Sequence, residues 1–377
     1  MMRICLPSAR RESQPRWICF LVLMSGVFVH HHDGVADSID DWKKMRSIAP
    51  RGYLCRHIEK PLQIDGRLDE TAWKEAAWTA NFMDIEGSRK PQPRFQTRAK
   101  MLWDDTYFYV AAHLQEPHVW GTLKDHDSVI FHDNDFEVFI DPNGDNHEYY
   151  ELELNALNTT WDLFLPKPYK DGGGADNGWE IPGLKTAIHV QGTLNNPADV
   201  DLGWSVEIAI PWKVLAEFAH QPAPPREGDH WRVNFSRVQW RHQIREKKYQ
   251  KVPEVREDNW VWSPQGIIDM HRPERWGYVQ FTRDHANKER FQPDQALAVR
   301  DALMTIYHHQ KVYFQRRKRW AQNLEVLGLR RDDFAPLTTA PGIKLTKDGY
   351  QASVTQALSG GRRKQWRIRQ DSRLSGE

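Results

Sequence analysis

Glu148-Tyr149-Tyr150-Glu151-Leu152-Glu153-Leu154-Asn155 is the stretch that decides the fold class. Successive side chains of an extended strand point to opposite faces, so Tyr150, Leu152 and Leu154 share one face while Glu151, Glu153 and Asn155 share the other. A helical period would scatter both sets. Working outward, similar short runs recur at Arg98 to Trp103, Tyr107 to Leu114, Phe136 to Asp141, Thr160 to Leu165, Leu184 to Val190, Trp204 to Ile210, Trp231 to Val238 and Gly277 to Phe281. Asp, Asn, Gly and Pro separate them, with Asp104-Asp105 placed for a tight hairpin and Asn143-Gly144 for a turn. No internal repeat is present. The number and spacing of the runs predict an all-β chain, an antiparallel β-sandwich of immunoglobulin or jelly-roll type.

The rest of the chain frames this region. Pro211 to Phe218 reads as one short helix, and Gln221-Pro222-Ala223-Pro224-Pro225 as a stiff connector. After Asp284 the period changes: Val299, Leu303, Ile306, Tyr307 and Tyr313 recur at three- and four-residue spacing, predicting an amphipathic helix within 293–320. Its basic end, Arg316-Arg317-Lys318-Arg319, suits the negative end of a helix dipole. Ile343 to Leu345 and Tyr350 to Val354 flank Asp348-Gly349 as a hairpin, and Gln365 to Gln370 reads as a further strand. The expected organisation is an export signal over 1–36, a linker over 37–60, the sandwich over 61–283 and a small α+β appendage over 284–377.

The signal rests on Arg10, Arg11 and Arg16 ahead of a 13-residue apolar run, Trp17 to Val29, followed by Gly34-Val35-Ala36 as a small-residue cleavage position. A membrane-spanning helix needs roughly 20 residues, so the run fits a cleaved signal better than an anchor, and no membrane contact is expected after cleavage. Cleavage removes Cys5 and Cys19, leaving Cys55 alone and no internal disulfide despite an oxidising destination outside the cytoplasm. Of the 377 residues 341 remain, with 48 Lys+Arg against 49 Asp+Glu, so charge gives no case for nucleic acid. The aromatic content stands out more, at 17 Trp. Most belong in a core, but an exposed indole in an exported protein commonly stacks on a ligand's apolar face.

Ile64-Asp65-Gly66-Arg67-Leu68-Asp69-Glu70, followed by Trp73, resembles the opening of family 9 carbohydrate-binding modules. Further matches follow in order: Lys100 to Asp105 with Tyr107-Phe108-Tyr109-Val110, then Asp135 to Asp141, Val206 to Trp212, and Pro273 to Gly277. The resemblance covers about Pro61 to Thr282. It implies a non-catalytic β-sandwich that holds the end of a sugar chain between two aromatic rings, often with structural calcium, and that serves partner glycosidases acting on polymers such as xylan. Sugar rings present an apolar C–H face and a rim of hydroxyls, so aromatic area with polar orientation suits them independently of family.

Carried over position by position, the resemblance places Phe131 and Met270 where the family has its two sandwiching Trp, with Trp260, Trp262 and Trp276 close enough in sequence to substitute. Glu137 matches an acid of the family's site and Asn155 an Asn, whereas Glu153 replaces a basic residue. Glu151 and Glu153 share the polar face of their strand with Asn155; that face reads equally as a ligand floor or as a solvated outer surface. The basic run Arg237 to Lys251 reads as a solvated hairpin end or as a contact for an acidic glycan. No cofactor is required. Asp141, Asn143, Asp145 and Glu148 form an oxygen-rich turn that would suit calcium, although the spacing is not that of an EF-hand, and a plain Asn-Gly turn also explains it.

Two other classes stay open. Glu137, Glu151 and Glu153 would make a glycoside hydrolase if two carboxyls flanked a glycosidic bond, a spacing that a strand can also produce by accident. Met270-His271 would suit haem ligation, but adjacent strand residues point to opposite faces. The expected protein is a secreted or periplasmic glycan-binding protein without catalysis.

Overall fold

The computed structural model describes residues 39–284, 288–335 and 337–377, so the expected export signal lies outside the described residues. In chain order the strands are β1 (Gly52–His57), β2 (Met83–Asp84), β3 (Thr97–Trp103), β4 (Tyr107–Gln115), β5 (Asp135–Asp141), β6 (Tyr149–Asn155), β7 (Thr160–Leu165), β8 (Lys185–Gln191), β9 (Gly203–Pro211), β10 (His230–Gln239), β11 (His242–Arg245), β12 (Lys248–Lys251), β13 (Asp258–Val261) and β14 (Gly277–Thr282). Four more, β15 (Gly342–Leu345), β16 (Tyr350–Ala357), β17 (Arg363–Arg369) and β18 (Leu374–Gly376), close the chain. The α-helices are α1 (Ile39–Arg46), α2 (Thr71–Glu75), α3 (Trp212–Leu215) and α4 (Leu297–Arg317).

The alternation in β6 now has a physical destination. Tyr150, Leu152 and Leu154 join Phe136, Val138 and Ile140 of β5 in one core, together with Val110 of β4, Val206 and Ile208 of β9, and Trp231, Val233 and Phe235 of β10. Each such side chain contributes roughly 1.5–3 kcal/mol on burial, so the domain needs no covalent staple. Cys55 is buried and unpaired. Twelve strands form one sheet along the path β7-β6-β5-β10-β14-β1-β3-β4-β9-β8, with β13 on β10 and β2 on β13. Strands from both halves of that path feed the same core, so the sheet curls on itself. The molecule is therefore mostly strands in curled sheets, as expected of an all-β chain.

The sheet is not wholly antiparallel. Strand β1 pairs in parallel with β14 (Cys55 opposite Phe281) and with β3 (Arg56 opposite Leu102). It therefore bridges the two halves of the sheet, and residues 37–60, read above as a linker, contain both α1 and this central strand. Tyr53 and Cys55 alternate into the core, and the Tyr53 hydroxyl donates to the Ala77 carbonyl at 2.7 Å. The linker reading failed because six residues with Arg56 among them give too short a pattern to read. Strand β10 forks, pairing β14 through Val233 and β13 from Ser236 onward. Asn234 holds the fork, its amide donating to the Ser263 carbonyl at 2.9 Å while its oxygen accepts the Ser263 N–H at 2.9 Å.

The C-terminal helix forms within the expected stretch. Val299, Leu303, Ile306 and Tyr307 pack on Tyr350, Ala352, Val354, Trp366 and Ile368 of a four-stranded sheet, and Trp42 and Met45 of α1 complete that core; Tyr313 stays outside it. This region is tied to the main sheet: the Leu374 N–H donates to the Asp145 carbonyl at 3.0 Å, and the Asn146 amide to the Ser372 carbonyl at 2.9 Å. The described residues from Ile39 onward form one compact unit, so the boundary expected at 283/284 marks a change of secondary structure within that unit.

Candidate functional site

The side of β5 and β6 turned away from the core carries Asp135, Glu137, Phe139 and Asp141 on one strand and Tyr149, Glu151, Glu153 and Asn155 on its neighbour. The register sets Glu137 opposite Glu153, Asp135 opposite Asn155 and Phe139 opposite Glu151. A half-exposed sheet would leave such acids in water. Here they are covered: Asp135, Glu137, Glu151 and Glu153 are only 0%, 5%, 4% and 2% exposed.

Burial dictates their electrostatics. Desolvation, reinforced by the Glu137 charge, holds the carboxyls of Asp135, Glu151 and Glu153 well above the usual range. Burial pushes Glu137 up to about 7, although the Ser236 hydroxyl donates to it. The Phe131 N–H donates to Glu153 Oε2 at 3.0 Å and the Val238 N–H to Asp135 Oδ1 at 2.9 Å. Asp135 Oδ2 and Glu151 Oε2 receive no donor among the described residues.

Aromatic rings rim this floor. Phe131 is 36% exposed, and its ring centroid lies 6.3 Å from that of Trp161, the neighbour of Glu153 on β7. Tyr169, 43% exposed, stands 4.5 Å from the His271 ring; burial and then the Glu151 and Glu153 charges raise its phenol. Trp240 braces the rim through its indole N–H, which donates to the Phe131 carbonyl at 2.8 Å. Sequence reasoning found Phe131 but not Trp161, Tyr169 or Trp240. Tyr169 sits in the loop after β7, where no periodicity marks a direction; the Trp161 indole at a polar strand edge was the one available signal.

Of the other expected site residues, Trp260 and Trp262 lie in the core, whereas Trp276 and Met270 pack on the outer face of β5 and β6 beside the acids. Trp260, Trp262 and Trp276 are all buried. Trp260 lies between the Arg94 and Arg237 guanidiniums, 5.5 and 5.3 Å from its ring, and Trp262 packs 5.7 Å from Phe235. Trp276 packs on the same outer face as the acids, 5.5 Å from Phe139 and 5.2 Å from Tyr149, with its N–H donating to the Met270 carbonyl at 2.9 Å. Met270 packs against this cluster, and His271 Nδ1 lies 3.0 Å from the Tyr149 hydroxyl, an arrangement explained by packing without haem. Asn155 is fully buried and fully used: it donates to the Leu123 carbonyl and Asp133, and accepts from the Leu157 and Thr159 N–H groups. It clamps the surrounding loops together.

The turn expected to suit calcium closes on itself. Asp141 accepts the Gly144 and Asn146 N–H groups, Asn143 the Asp145 N–H, and Asp145 the His147 N–H and the Arg373 guanidinium. These oxygens are engaged by donors that a cation would have to displace, so the donor set does not fit the ion. Burial and then the Asp145 charge raise Asp141 to about 7.

Comparison with known proteins bears on the domain as a whole. Residues 64–228 match the family described as carbohydrate family 9 binding domain-like. An exoglucanase, XynX, of Acetivibrio thermocellus is 30% identical over 151 residues, and an endo-1,4-beta-xylanase A of Thermoanaerobacterium saccharolyticum 28% over 149. Each match takes in 40% of this chain but 11% of the relative, so the chain spans about a tenth of the length of these proteins. Among solved structures, a family 9 module of Caldicellulosiruptor kristjanssonii with cellotriose aligns at 15% identity and TM-score 0.40, over 64% of this chain and 100% of its own. A putative carbohydrate-binding protein of Bacteroides uniformis aligns at 15% identity and TM-score 0.45, over 62% and 100%. The family match makes residues 64–228, somewhat under half of the chain, similar to the carbohydrate family 9 binding domain-like proteins.

Proposed function

We propose that this protein binds carbohydrate without cleaving it, on the outer face of β5, β6 and β7. The observation that carries the reading is the pairing of exposed rings, Phe131 and Tyr169, with a polar floor beneath them in a domain similar to this family. A sugar ring would place its C–H face on the aromatic rim and turn hydroxyls toward the Tyr169 hydroxyl. Hydrolysis would require two carboxyls that reach a glycosidic oxygen and the anomeric carbon. Glu137, Glu151 and Glu153 are too deeply covered to do so in this conformation. Export by residues 1–36 would place the protein among extracellular glycans, and the names of the curated relatives make xylan and cellulose the first polymers to try.

The test is retention of the purified chain on insoluble xylan and cellulose, assayed together with reducing-sugar release. Retention that is lost in Phe131→Ala and Tyr169→Ala, with folding intact and no sugar released, is the expected result. Release of sugar that disappears in Glu137→Gln or Glu151→Gln would overturn the reading in favour of a glycosidase.

A further inference from the structure

Oxygens of Asp135, Glu137 and Glu153 lie within 4.8 Å of one another in the floor of the β5–β6 face, and all three side chains are buried. An acidic cluster alone signifies little. Two additional atoms distinguish this one: Asp135 Oδ2, on a fully buried residue, and Oε2 of Glu151, a fourth acid outside the triad, receive no donor among the described residues. Glu151 is hydrogen-bonded to Glu153 and feels the charge of Glu137, so its unpartnered oxygen belongs to the same group. The strongest charges acting on Asp135 and Glu153 are those of other carboxylates. Like charges set opposite one another across a ladder oppose pairing, and a buried acceptor without a donor costs about 1–3 kcal/mol.

Two remedies exist: protons shared between the acids, or a cation among them. Shared protons explain the hydrogen bond between Glu151 and Glu153 but leave Asp135 Oδ2 unanswered. One bound ion would answer both the mutual repulsion and the unpartnered oxygens. The donors are carboxylate oxygens without sulfur or imidazole, which suits a hard cation. Calcium–oxygen bonds of roughly 2.3–2.6 Å set opposed ligands up to about 5 Å apart, matching the observed spread. We propose that Asp135, Glu137 and Glu153 form a calcium site, with Glu151 as a further oxygen donor, beneath the aromatic rim. The ion would hold the floor of β5 and β6 together from the face opposite the core. This inference stands on the four acids and does not require that the rim bind sugar.

The test uses the whole chain, stripped with EDTA and dialysed into metal-free buffer. Adding calcium chloride to about a hundred times the dissociation constant should raise Tm by about 5 °C. Calorimetric titration should give one ion per chain. Glu137→Gln and Glu153→Gln, which keep shape and remove charge, should weaken calcium binding at least about tenfold, while Asp145→Asn in the neighbouring turn should leave it unchanged. Elemental analysis of the protein before stripping reads occupancy without any variant. Wild-type protein that neither gains Tm nor takes up calcium would overturn the site, as would calcium binding unaltered in both Gln variants or abolished only by Asp145→Asn. Calcium binding without polymer retention would uphold the site and count against the sugar reading alone.

Discussion

Glu137 and Glu153 stand directly opposite one another in the β5–β6 ladder, both buried, with the Ser236 hydroxyl bonding one and the Phe131 N–H the other. Each donor stabilises its own carboxylate, yet the two charges oppose each other in a medium that screens them weakly. In metal-free buffer at a pH high enough to ionise both carboxyls, Glu153→Gln should therefore stabilise the fold by about 1 kcal/mol, because the amide oxygen retains the Phe131 bond while the repulsion disappears. Urea denaturation of stripped protein checks this. A variant less stable than wild type under those conditions would show that the charge itself is needed.

The aromatic residues should divide into two kinds. Phe131 and Tyr169 are more than a third exposed, so their alanine variants should fold and lose about tenfold in polymer affinity, the loss of one stacking contact. Trp276 is wholly buried beside the floor, and Trp276→Ala should cost about 3–5 kcal/mol of stability. Affinity electrophoresis in soluble xylan beside guanidinium titration separates the two outcomes.

Asp171 ties the loop after β7 to the C-terminal region. It bonds Lys170 at 2.7 Å, Lys311 at 3.1 Å, the Tyr307 hydroxyl at 2.7 Å and the Ser372 hydroxyl at 2.6 Å. Burial alone would raise its carboxyl, but the two ammonium groups and the Ser372 hydroxyl outweigh that and hold it below the usual range. A depressed folded-state value contributes stability above the unfolded value, near 4, and that contribution fades as pH falls below it. Asp171→Asn should cost about 3 kcal/mol at pH 7, with the difference from wild type shrinking as pH is lowered from about 4 toward 2. Paired urea titrations across that range provide the measurement.

Removing residues 39–57 should prevent folding. That segment supplies β1, which pairs with β14 and β3 in the middle of the sheet, and α1, whose Trp42 N–H donates to Thr305 of α4 at 2.9 Å. Near-UV circular dichroism should show the loss of fixed tertiary packing. A dispensable linker would leave the spectrum unchanged.

Local periodicity made the strands legible. Alternation in β4, β5, β6, β9 and β10 follows from side-chain geometry along a single strand, so each could be read from its own residues and its apolar face assigned to a core. The C-terminal helix was legible for the same reason at a different period. Strand β1 was not, because the bonds that define it run to residues as far along the chain as Phe281 and Leu102.

The candidate site was legible only in part. Glu137, Glu151 and Glu153 follow from the polar phase of β5 and β6, and Phe131 from the family resemblance. Whether that polar phase faced water or lay covered depended on loops closing over it. That closure buried Trp276, brought Tyr169 and His271 together, and turned a row of ordinary strand acids into a mutually repelling cluster. Sequence alone determined which side chains share a face, since that is set by the geometry of the extended chain. Tertiary structure alone decided what covers each face, and so which tryptophans are core and which acids feel one another, since burial and electrostatics depend on distances through space.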